Sequence, residues 1–302
     1  MIKILSIFGT RPEAIKMAPV VKELGKHPDR ITSRVCVTAQ HREMLDQVLD
    51  LFGIAPDYDL DLMADNQSLS EITARVFTGL DPVIDKERPD WVLVQGDTTT
   101  VMAASLVAFY HQVKVGHVEA GLRTHDKWQP FPEEINRKVA GAVADAHFAP
   151  TATARDNLLR EGVAPETVHI TGNPVIDALH WVAERPFDIG TLDVEALQRS
   201  DTQLILVTAH RRENFGEPLE HICQALLDIV RQYDDVHVVY PVHLNPHVQE
   251  PVYRLLDIHD QITLLPPLDY LPLVHLMKRS RIVLTDSGGI QEEAPGLGKP
   301  VL

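Results

Sequence analysis

Short β-rich runs alternate with amphipathic helical patterns along almost the whole chain. Parallel strands need a long crossover between them, so this alternation predicts parallel sheets with helices on both faces. The predicted strands are 2–8, 33–38, 91–95, 113–118, 146–149, 167–170, 203–208, 236–241, 262–265 and 281–285. The predicted helices are 42–52, 68–86, 98–111, 133–145, 151–161, 216–232, 246–256, 269–279 and 288–296. The pattern therefore predicts an α/β fold.

A region around 171–200 that contains prolines and aspartates separates the strands into two series. A chain of 302 residues also exceeds the usual size of one domain. We therefore expect two Rossmann-like domains that face each other across a cleft, an N-terminal domain over 1–170 and a C-terminal domain over 171–302. The last residues, GLGKPVL, stop within a strand-like pattern, so we expect the C-terminal domain to be incomplete.

Composition excludes several classes of protein. The formal net charge of −15 at pH 7 repels DNA and anionic lipid, and no apolar run approaches the ~18 residues of a membrane span. We therefore expect neither a nucleic-acid partner nor a membrane. The two cysteines, Cys36 and Cys223, have no CxxC spacing, and the N-terminus reads as a first strand rather than a signal peptide. These features predict a cytoplasmic protein without a disulfide framework.

Two features that resemble metal motifs do not predict a metal site. The 15 histidines show no HExxH spacing. Asp57, Asp59 and Asp61 alternate as in a calcium loop, but Leu62 stands where an EF-hand needs glycine. The period of two predicts a strand edge or an extended loop, and we expect no metal.

Polar, ionisable and glycine residues recur where the predicted strands end. In open parallel sheets, ligands bind beyond the carboxyl ends of the strands. The residues at these ends include Gly9, Thr10, Arg11, Gly96, Asp97, Thr98, Glu119, Gly121, Arg123, His210, Arg211, Arg212, His243, Asp286, Ser287, Gly288 and Gly289. We expect the functional site at this edge.

The segment TDSGGIQEEA, 285–294, is the clearest ligand loop. Ser287, Gly288 and Gly289 let the backbone approach a phosphate at a helix N-terminus, where free N–H groups and the helix dipole favour an anion. Glu293, one turn further on, is placed to accept the hydroxyls of a ribose. The alternative is an ordinary tight turn with a solvated Glu293.

The segment FGTRPEAIK, 8–16, is a second candidate for anion binding. Thr10 and Glu13 have the spacing of a capping box, and Arg11 and Lys16 lie close by. The segment is neither a P-loop nor GxGxxG, which gives little support to nucleoside triphosphate or NAD binding. A solvated first turn of a helix is the alternative.

Three carboxylates are candidates for proton transfer. Asp97 is either such a group or the N-cap of helix 98–111. Glu119 ends an apolar strand and needs a partner if buried, for which Arg123 or Arg137 is a structural candidate. Glu133 begins a helix, where a carboxylate is also favoured simply by the dipole.

Together these carboxylates would supply an acid and a base on opposite faces of a sugar ring, if burial raises a pKa. Glu134 stands beside Glu133 and shares its alternative as N-terminal helix charge. His210, directly after a strand, is a candidate to protonate or bind a leaving phosphate, although a lone histidine there is often structural.

The ordered motifs resemble one known family from Ile2 to Leu302. These motifs are FGTRPEAIKMAP, TAQHREMLDQVL, GDTTT, GHVEAGLRT, PEEINR, TAHRREN, PVHLNP and LTDSGGIQEEAP. They are similar to the non-hydrolysing UDP-N-acetylglucosamine 2-epimerases of bacteria. The resemblance implies the two-domain glycosyltransferase-B fold, homodimers, a role in polysaccharide biosynthesis and no cofactor.

The resemblance also implies a reaction and its residues. Members interconvert UDP-N-acetylglucosamine and UDP-N-acetylmannosamine by eliminating UDP to a 2-acetamidoglucal and adding it back. The implied acid/base groups are Asp97, Glu119 and Glu133, with His210 as partner of the leaving diphosphate. The implied substrate-binding residues are Arg11, Lys16, Ser287, Gly288, Gly289 and Glu293, and the candidates for allosteric binding of the substrate are Gln40, His41 and Arg42.

Other functions stay open at this point. A different glycosyltransferase-B enzyme would transfer the sugar to an acceptor, and a hydrolysing epimerase would release free N-acetylmannosamine. A UDP-sugar-binding fragment without catalysis is the alternative from another class.

Overall fold

The computed structural model describes residues 1–38, 42–62, 67–199 and 201–302. The chain divides into two compact units, Met1–Ala178 and Leu179–Leu302. Each unit contains one parallel sheet with its own buried apolar core.

The described part of the first unit contains a seven-stranded parallel sheet in the order β3-β2-β1-β4-β5-β6-β7. Its strands are β1 (Ile2–Phe8), β2 (Ile31–Val37), β3 (Tyr58–Asp59), β4 (Trp91–Gln95), β5 (Lys114–Val118), β6 (Ala146–Ala149) and β7 (Val168–Ile170). Its helices are α1 (Arg11–Gly25), α2 (Arg42–Phe52), α3 (Leu69–Glu87), α4 (Thr99–Tyr110), α5 (Glu133–Val143) and α6 (Ala152–Arg160), and α7 (Pro174–Ala183) continues into the second unit.

The second unit has a four-stranded parallel sheet in the order β10-β9-β8-β11 within the described residues. Its strands are β8 (Gln203–Thr208), β9 (Val236–Pro241), β10 (Ile262–Leu265) and β11 (Ile282–Thr285). Its helices are α8 (Glu195–Gln198), α9 (Glu217–Gln232), α10 (Pro246–Leu256), α11 (Tyr270–Arg279) and α12 (Gly288–Gly296). In both units, therefore, strands and helices alternate as the sequence predicts.

Local signals explain where the helices of the first unit begin. Thr10 and Glu13 form a complete capping box at the start of α1, as predicted, and so do Ser68 and Glu71 at α3. The alternative role of Asp97, as the N-cap of α4, is excluded because Thr98 is the N-cap residue and its side chain accepts the bond from Val101 N–H. The Asp97 side chain is therefore available for other contacts.

The predicted elements do not include α7, which lies in the region that the sequence pattern assigned to a connection. Its apolar residues Val175, Ala178, Leu179 and Val182 follow helical spacing and are all buried. The prolines and aspartates around this segment obscured that period.

Each sheet has a point at which the strand order reverses, between β1 and β4 and between β8 and β11. Helices leave a sheet on opposite faces at such a point, and the space beyond the strand ends is where ligands bind in this class of fold. No helix among the described residues is both long and apolar enough to cross a bilayer.

Candidate functional site

At the strand ends of the first unit, Glu119 accepts hydrogen bonds from three side chains. It follows β5 directly, is buried, and has a φ of 63°, a conformation that is uncommon for a residue other than glycine. Lys16 Nζ lies 2.6 Å from Oε1 and 2.8 Å from Oε2. Gln95 Nε2 donates to Oε2, and Asn173 Nδ2 donates to Oε1 at 2.9 Å. Three donors, one of them a cation, therefore satisfy both oxygens of this buried carboxylate.

The expectation that Arg123 or Arg137 is the partner of Glu119 is wrong. Arg123 instead forms a two-pronged pair with Glu161, at 2.9 Å from Nε and 2.7 Å from Nη2. Lys16 takes its place because α1 follows β1, and β1 lies at the switch point near β5.

Asp97 is held by two residues of α5. Arg137 contacts Asp97 Oδ2 from Nε at 2.9 Å and from Nη2 at 2.7 Å. Asn136 Nδ2 donates to the Asp97 carbonyl oxygen at 2.9 Å. The helix that begins at Glu133 therefore determines where the Asp97 carboxylate lies.

Glu133 and Glu134 are adjacent, but their surroundings differ. Glu134 is fully buried and accepts bonds from Thr124 N–H and His125 N–H at 3.1 Å each, and from Arg137 Nη1 at 3.1 Å. Burial alone disfavours its charge, but these bonds outweigh burial, and its pKa lies below the usual range. Glu133 Oε2 is buried and has no hydrogen-bond partner among the described residues. Of this pair, Glu133 is the one with an acceptor left over for a ligand.

Glu13 links the strand ends of β1 and β4. It is buried and accepts bonds from Gly9 N–H at 2.9 Å, Thr10 N–H at 2.7 Å and Thr98 Oγ1–H at 2.6 Å. Burial raises its pKa, although the hydrogen bonds oppose the shift. Arg11, the first residue of α1, is half-buried and forms no ion pair with a described residue, so its charge is available to an anion.

The corresponding edge of the second unit is organised by Asp286, which follows β11. Its carboxylate accepts from His210 N–H at 3.0 and 2.9 Å, from Arg211 N–H at 2.8 Å and from Asn214 Nδ2 at 2.9 Å. Asp286 thereby ties the loop after β8 to the loop after β11. His210 owes its position to these backbone contacts.

The His210 side chain is partly open to solvent. Its ring stacks on that of His243 with centroids 5.3 Å apart and an interplanar angle of 8°. Burial lowers the pKa of His210, an effect that nearby Asp286 opposes and that His243 and Arg211 reinforce. The imidazole is therefore predominantly neutral at pH 7 and has one N–H to donate.

The glycine loop opens α12. Its N-cap residue Ser287 forms no side-chain cap bond. A Cβ at Gly288 would lie 3.3 Å from Arg211 Nη2, so the absence of a side chain there lets the guanidinium approach the helix start. Glu293, one turn into α12, is buried and accepts a bond from Tyr270 O–H at 2.8 Å. A helix N-terminus beside a guanidinium favours a bound anion.

The role of Gln40, His41 and Arg42 in allosteric binding of the substrate stays a prediction. Gln40 and His41 lie outside the described residues, and Arg42 is the first residue of α2.

Several residues at these edges had no role in the sequence predictions. They are Gln95, His117, Asn136 and Asn173. His117 and Asn136 stand inside the quoted motifs, and Asn173 stands in the polar stretch after β7, where the strand-end rule applies as well. That rule could have found Asn173, but no sequence signal indicates which atoms each side chain contacts.

Comparisons with known proteins agree on one family. A family model described as UDP-N-acetylglucosamine 2-epimerase matches residues 22–302. A UDP-N-acetylglucosamine 2-epimerase of Yersinia pestis is 58% identical over 305 residues, which cover 99% of this chain and 81% of the relative. The crystal structure of UDP-GlcNAc 2-epimerase from Neisseria meningitidis bound to UDP-GlcNAc is 50% identical with a TM-score of 0.88, and the match covers 100% of this chain and 82% of that one. The Methanocaldococcus jannaschii UDP-GlcNAc 2-epimerase in complex with UDP-GlcNAc and UDP is 32% identical with a TM-score of 0.81, over 99% of this chain and 83% of that one. These matches confirm the predicted α/β fold of the glycosyltransferase-B type.

Proposed function

The chain belongs to the UDP-N-acetylglucosamine 2-epimerase family, and on this premise we propose that it is an isomerase that interconverts UDP-N-acetylglucosamine and UDP-N-acetylmannosamine. The complexes of relatives with UDP-GlcNAc and with UDP support the substrate. The observation that carries the proposal is the group of carboxylates Asp97, Glu119 and Glu133 at the strand ends of the first unit. UDP binding alone requires none of them.

The proposed reaction is an elimination followed by an addition. A base removes the C2 proton, the electron pair becomes the C1–C2 double bond, and the anomeric C–O bond breaks as UDP leaves. UDP then adds back to C1 while a proton is delivered to the opposite face of C2. The C2–H bond has no adjacent carbonyl to stabilise a carbanion, so it breaks only as the C–O bond breaks. Such a reaction needs an acid and a base placed on the two faces of the ring and a site that retains the intermediate.

The contacts of the three carboxylates support different roles within this scheme. Glu119 is paired with Lys16, and Asp97 is paired with Arg137, so both carboxylates already accept hydrogen bonds from a cation. Glu133 has a buried oxygen without a partner. We therefore assign removal of the C2 proton from one face to Glu133, and delivery of a proton to the opposite face to Asp97 or Glu119, whichever of the two is protonated when UDP adds back.

The second unit supplies the groups for the diphosphate and the nucleoside in this scheme. The neutral His210 donates its N–H to the leaving diphosphate, while Ser287, Gly288 and Gly289 at the start of α12 bind phosphate. The buried Glu293 accepts the ribose hydroxyls. Arg11 of the first unit adds positive charge for the nucleotide-sugar, which an acidic protein of net charge −15 needs locally, while Lys16 contacts the sugar-nucleotide from its ion pair with Glu119.

Incubation with UDP-N-acetylglucosamine in D₂O tests the proposal. We expect deuterium at C2 in both intact UDP-sugars, detected by mass spectrometry and NMR. Free N-acetylmannosamine with UDP would instead indicate a hydrolysing epimerase. No exchange in the absence of an acceptor would favour a glycosyltransferase or a binding protein, and either result would contradict the proposal.

A further inference from the structure

The backbone on both sides of the Asp97 Cα is held by buried side chains. His117 on β5 lies with Nε2 2.7 Å from the Gly96 carbonyl oxygen. Asn136 on α5 donates from Nδ2 to the carbonyl oxygen of Asp97 itself at 2.9 Å. Both side chains belong to residues with at most 3% of their surface exposed. Neither side chain contacts the Asp97 carboxylate in these bonds.

These two carbonyl groups determine the direction of the Asp97 side chain. Each belongs to one of the two planar peptide groups that flank the Asp97 Cα. When both planes are held, φ and ψ of Asp97 are held, and so is the direction of its Cα–Cβ bond. Gly96, with φ of 82°, forms the turn that leads out of β4 and has a conformation that most other residues adopt only with strain. The turn thus depends on outside contacts to keep one orientation.

The tautomer and the burial of His117 both fit a ring that donates its Nε2–H to the Gly96 carbonyl. A carbonyl oxygen only accepts, so Nε2 carries the hydrogen, and the neutral ring leaves Nδ1 as an acceptor. Nδ1 is buried without a partner among the described residues, which costs free energy that an apolar residue of similar size would avoid. Burial also lowers the pKa of His117 to about 4, so the neutral ring is the form present at pH 7.

We propose that His117 and Asn136 are positioning residues for Asp97, which direct its carboxylate towards the substrate by holding the carbonyl groups before and after its Cα. The inference rests on the proposed function, in which Asp97 is an acid/base group. Arg137 then aligns a carboxylate whose direction is already determined by the backbone.

Substitution of His117 tests the inference. His117→Leu removes the donor to Gly96, and we expect kcat for the epimerisation to fall about a hundredfold with KM nearly unchanged, because a displacement of about 1 Å has that effect. His117→Gln places an amide nitrogen the same number of bonds from the backbone as Nε2. We expect it to restore kcat to within roughly tenfold of the wild type.

His147 provides a matched control. It is the register partner of His117 on β6, equally buried at 1% exposure, and likewise has an Nδ1 without a partner among the described residues. His147→Leu makes the same change of a buried imidazole to an alkyl side chain as His117→Leu, and it should leave kcat within a factor of about three. Equal kcat losses in the two leucine variants, or no recovery in His117→Gln, would overturn the role of His117.

The variant Asn136→Leu tests the second half of the inference, the role of Asn136. Removal of the donor to the Asp97 carbonyl should lower kcat by about tenfold or more and leave KM and UDP affinity nearly unchanged. An unchanged kcat would overturn the role of Asn136. If the wild-type chain itself exchanged no deuterium at C2, the proposed function would fail first and the inference with it. Normal exchange in the wild type with no selective effect in the variants would refute the inference alone.

Discussion

The two units differ in what contacts their candidate catalytic side chains. In the first unit, cationic side chains pair with the candidate carboxylates themselves, Lys16 with Glu119 and Arg137 with Asp97. In the second unit, the Asp286 carboxylate holds the backbone of the candidate histidine, since it accepts from the N–H groups of His210 and Arg211. The Glu119 side chain is only 5% exposed, whereas that of His210 is 38% exposed.

This difference suits two tasks. Proton transfer requires charged groups in a fixed geometry with little access to water, and ion pairs between buried and partly buried side chains favour both. Binding a diphosphate requires N–H groups and positive charge that an incoming anion can reach. Under the proposed function, we therefore expect the first unit to determine turnover and the second to determine most of the nucleotide affinity.

The largest expected effect comes from neutralising the carboxylates of the first unit. Glu133→Gln, Glu119→Gln and Asp97→Asn should each lower deuterium exchange at C2 by about 10²–10⁴-fold, because each removes a group that transfers or stabilises a proton. The affinity for UDP, measured by calorimetry, should stay within roughly tenfold. Glu161→Gln, in which an ion-paired carboxylate outside the site is neutralised, is the control and should leave exchange within a factor of about three. If the affinity for UDP fell as much as the rate of deuterium exchange, the first unit would determine nucleotide affinity as well as turnover, and the expected division would be wrong.

The next largest expected effect is a loss of stability of the first unit at acid pH. The pKa of His117 is lowered from 6.5 to about 4, so between these values the unfolded chain binds a proton that the folded chain does not. The contribution is complete above pH about 6.5 and is lost as the pH falls to about 4, a change of ~3 kcal/mol. Urea unfolding followed between pH 7 and 4.5 should show a smaller pH dependence in His117→Gln than in the wild type. An equal pH dependence of the unfolding free energy in the two proteins would show that protonation of His117 does not cause this loss of stability.

A smaller effect is expected from Asp286→Ala in the second unit. The change leaves three donors without their acceptor and should reduce local stability by about 2 kcal/mol. Hydrogen exchange at residues 209–214 should become faster, and UDP affinity should fall. Asp269→Ala is a matched control, because Asp269 is an N-cap residue whose side chain forms no cap bond. If Asp286→Ala changed neither the amide hydrogen exchange of residues 209–214 nor the affinity for UDP, the bonds from Asp286 to the backbone of His210 would not contribute to UDP binding.

The smallest effect is expected from Tyr270→Phe. Loss of the 2.8 Å bond to Glu293 should weaken UDP binding by about fivefold, equivalent to ~1 kcal/mol, because the carboxylate is less well oriented for the ribose. Tyr253→Phe, at an exposed position of α10, is the control. Calorimetry with UDP and with a uridine diphosphate analogue that lacks ribose hydroxyls measures the effect. A loss of equal size for both ligands would contradict the proposed contact of Glu293.

The sequence predicted most of the fold because its signals are local. Apolar runs identified the strand positions, and the Thr10 and Ser68 capping boxes identified two helix starts. Where a local signal was ambiguous, the sequence did not decide: it left Asp97 as either an N-cap or a candidate for proton transfer, and the prolines near α7 obscured a helical period. The motifs also indicated which strand ends carry the candidate site.

The sequence by itself therefore determined the α/β class, nearly all of the elements and the family, since hydrophobic period, caps and ordered motifs are properties of neighbouring residues. Only the tertiary structure decided the partners: Lys16 rather than an arginine for Glu119, Arg137 for Asp97, and no described partner for one oxygen of Glu133. Those pairings depend on strand order, which brings together residues as far apart in the chain as 16 and 119. Hydrogen bonds and ion pairs act over a few ångströms, so they are set by proximity in space and leave no period in the sequence.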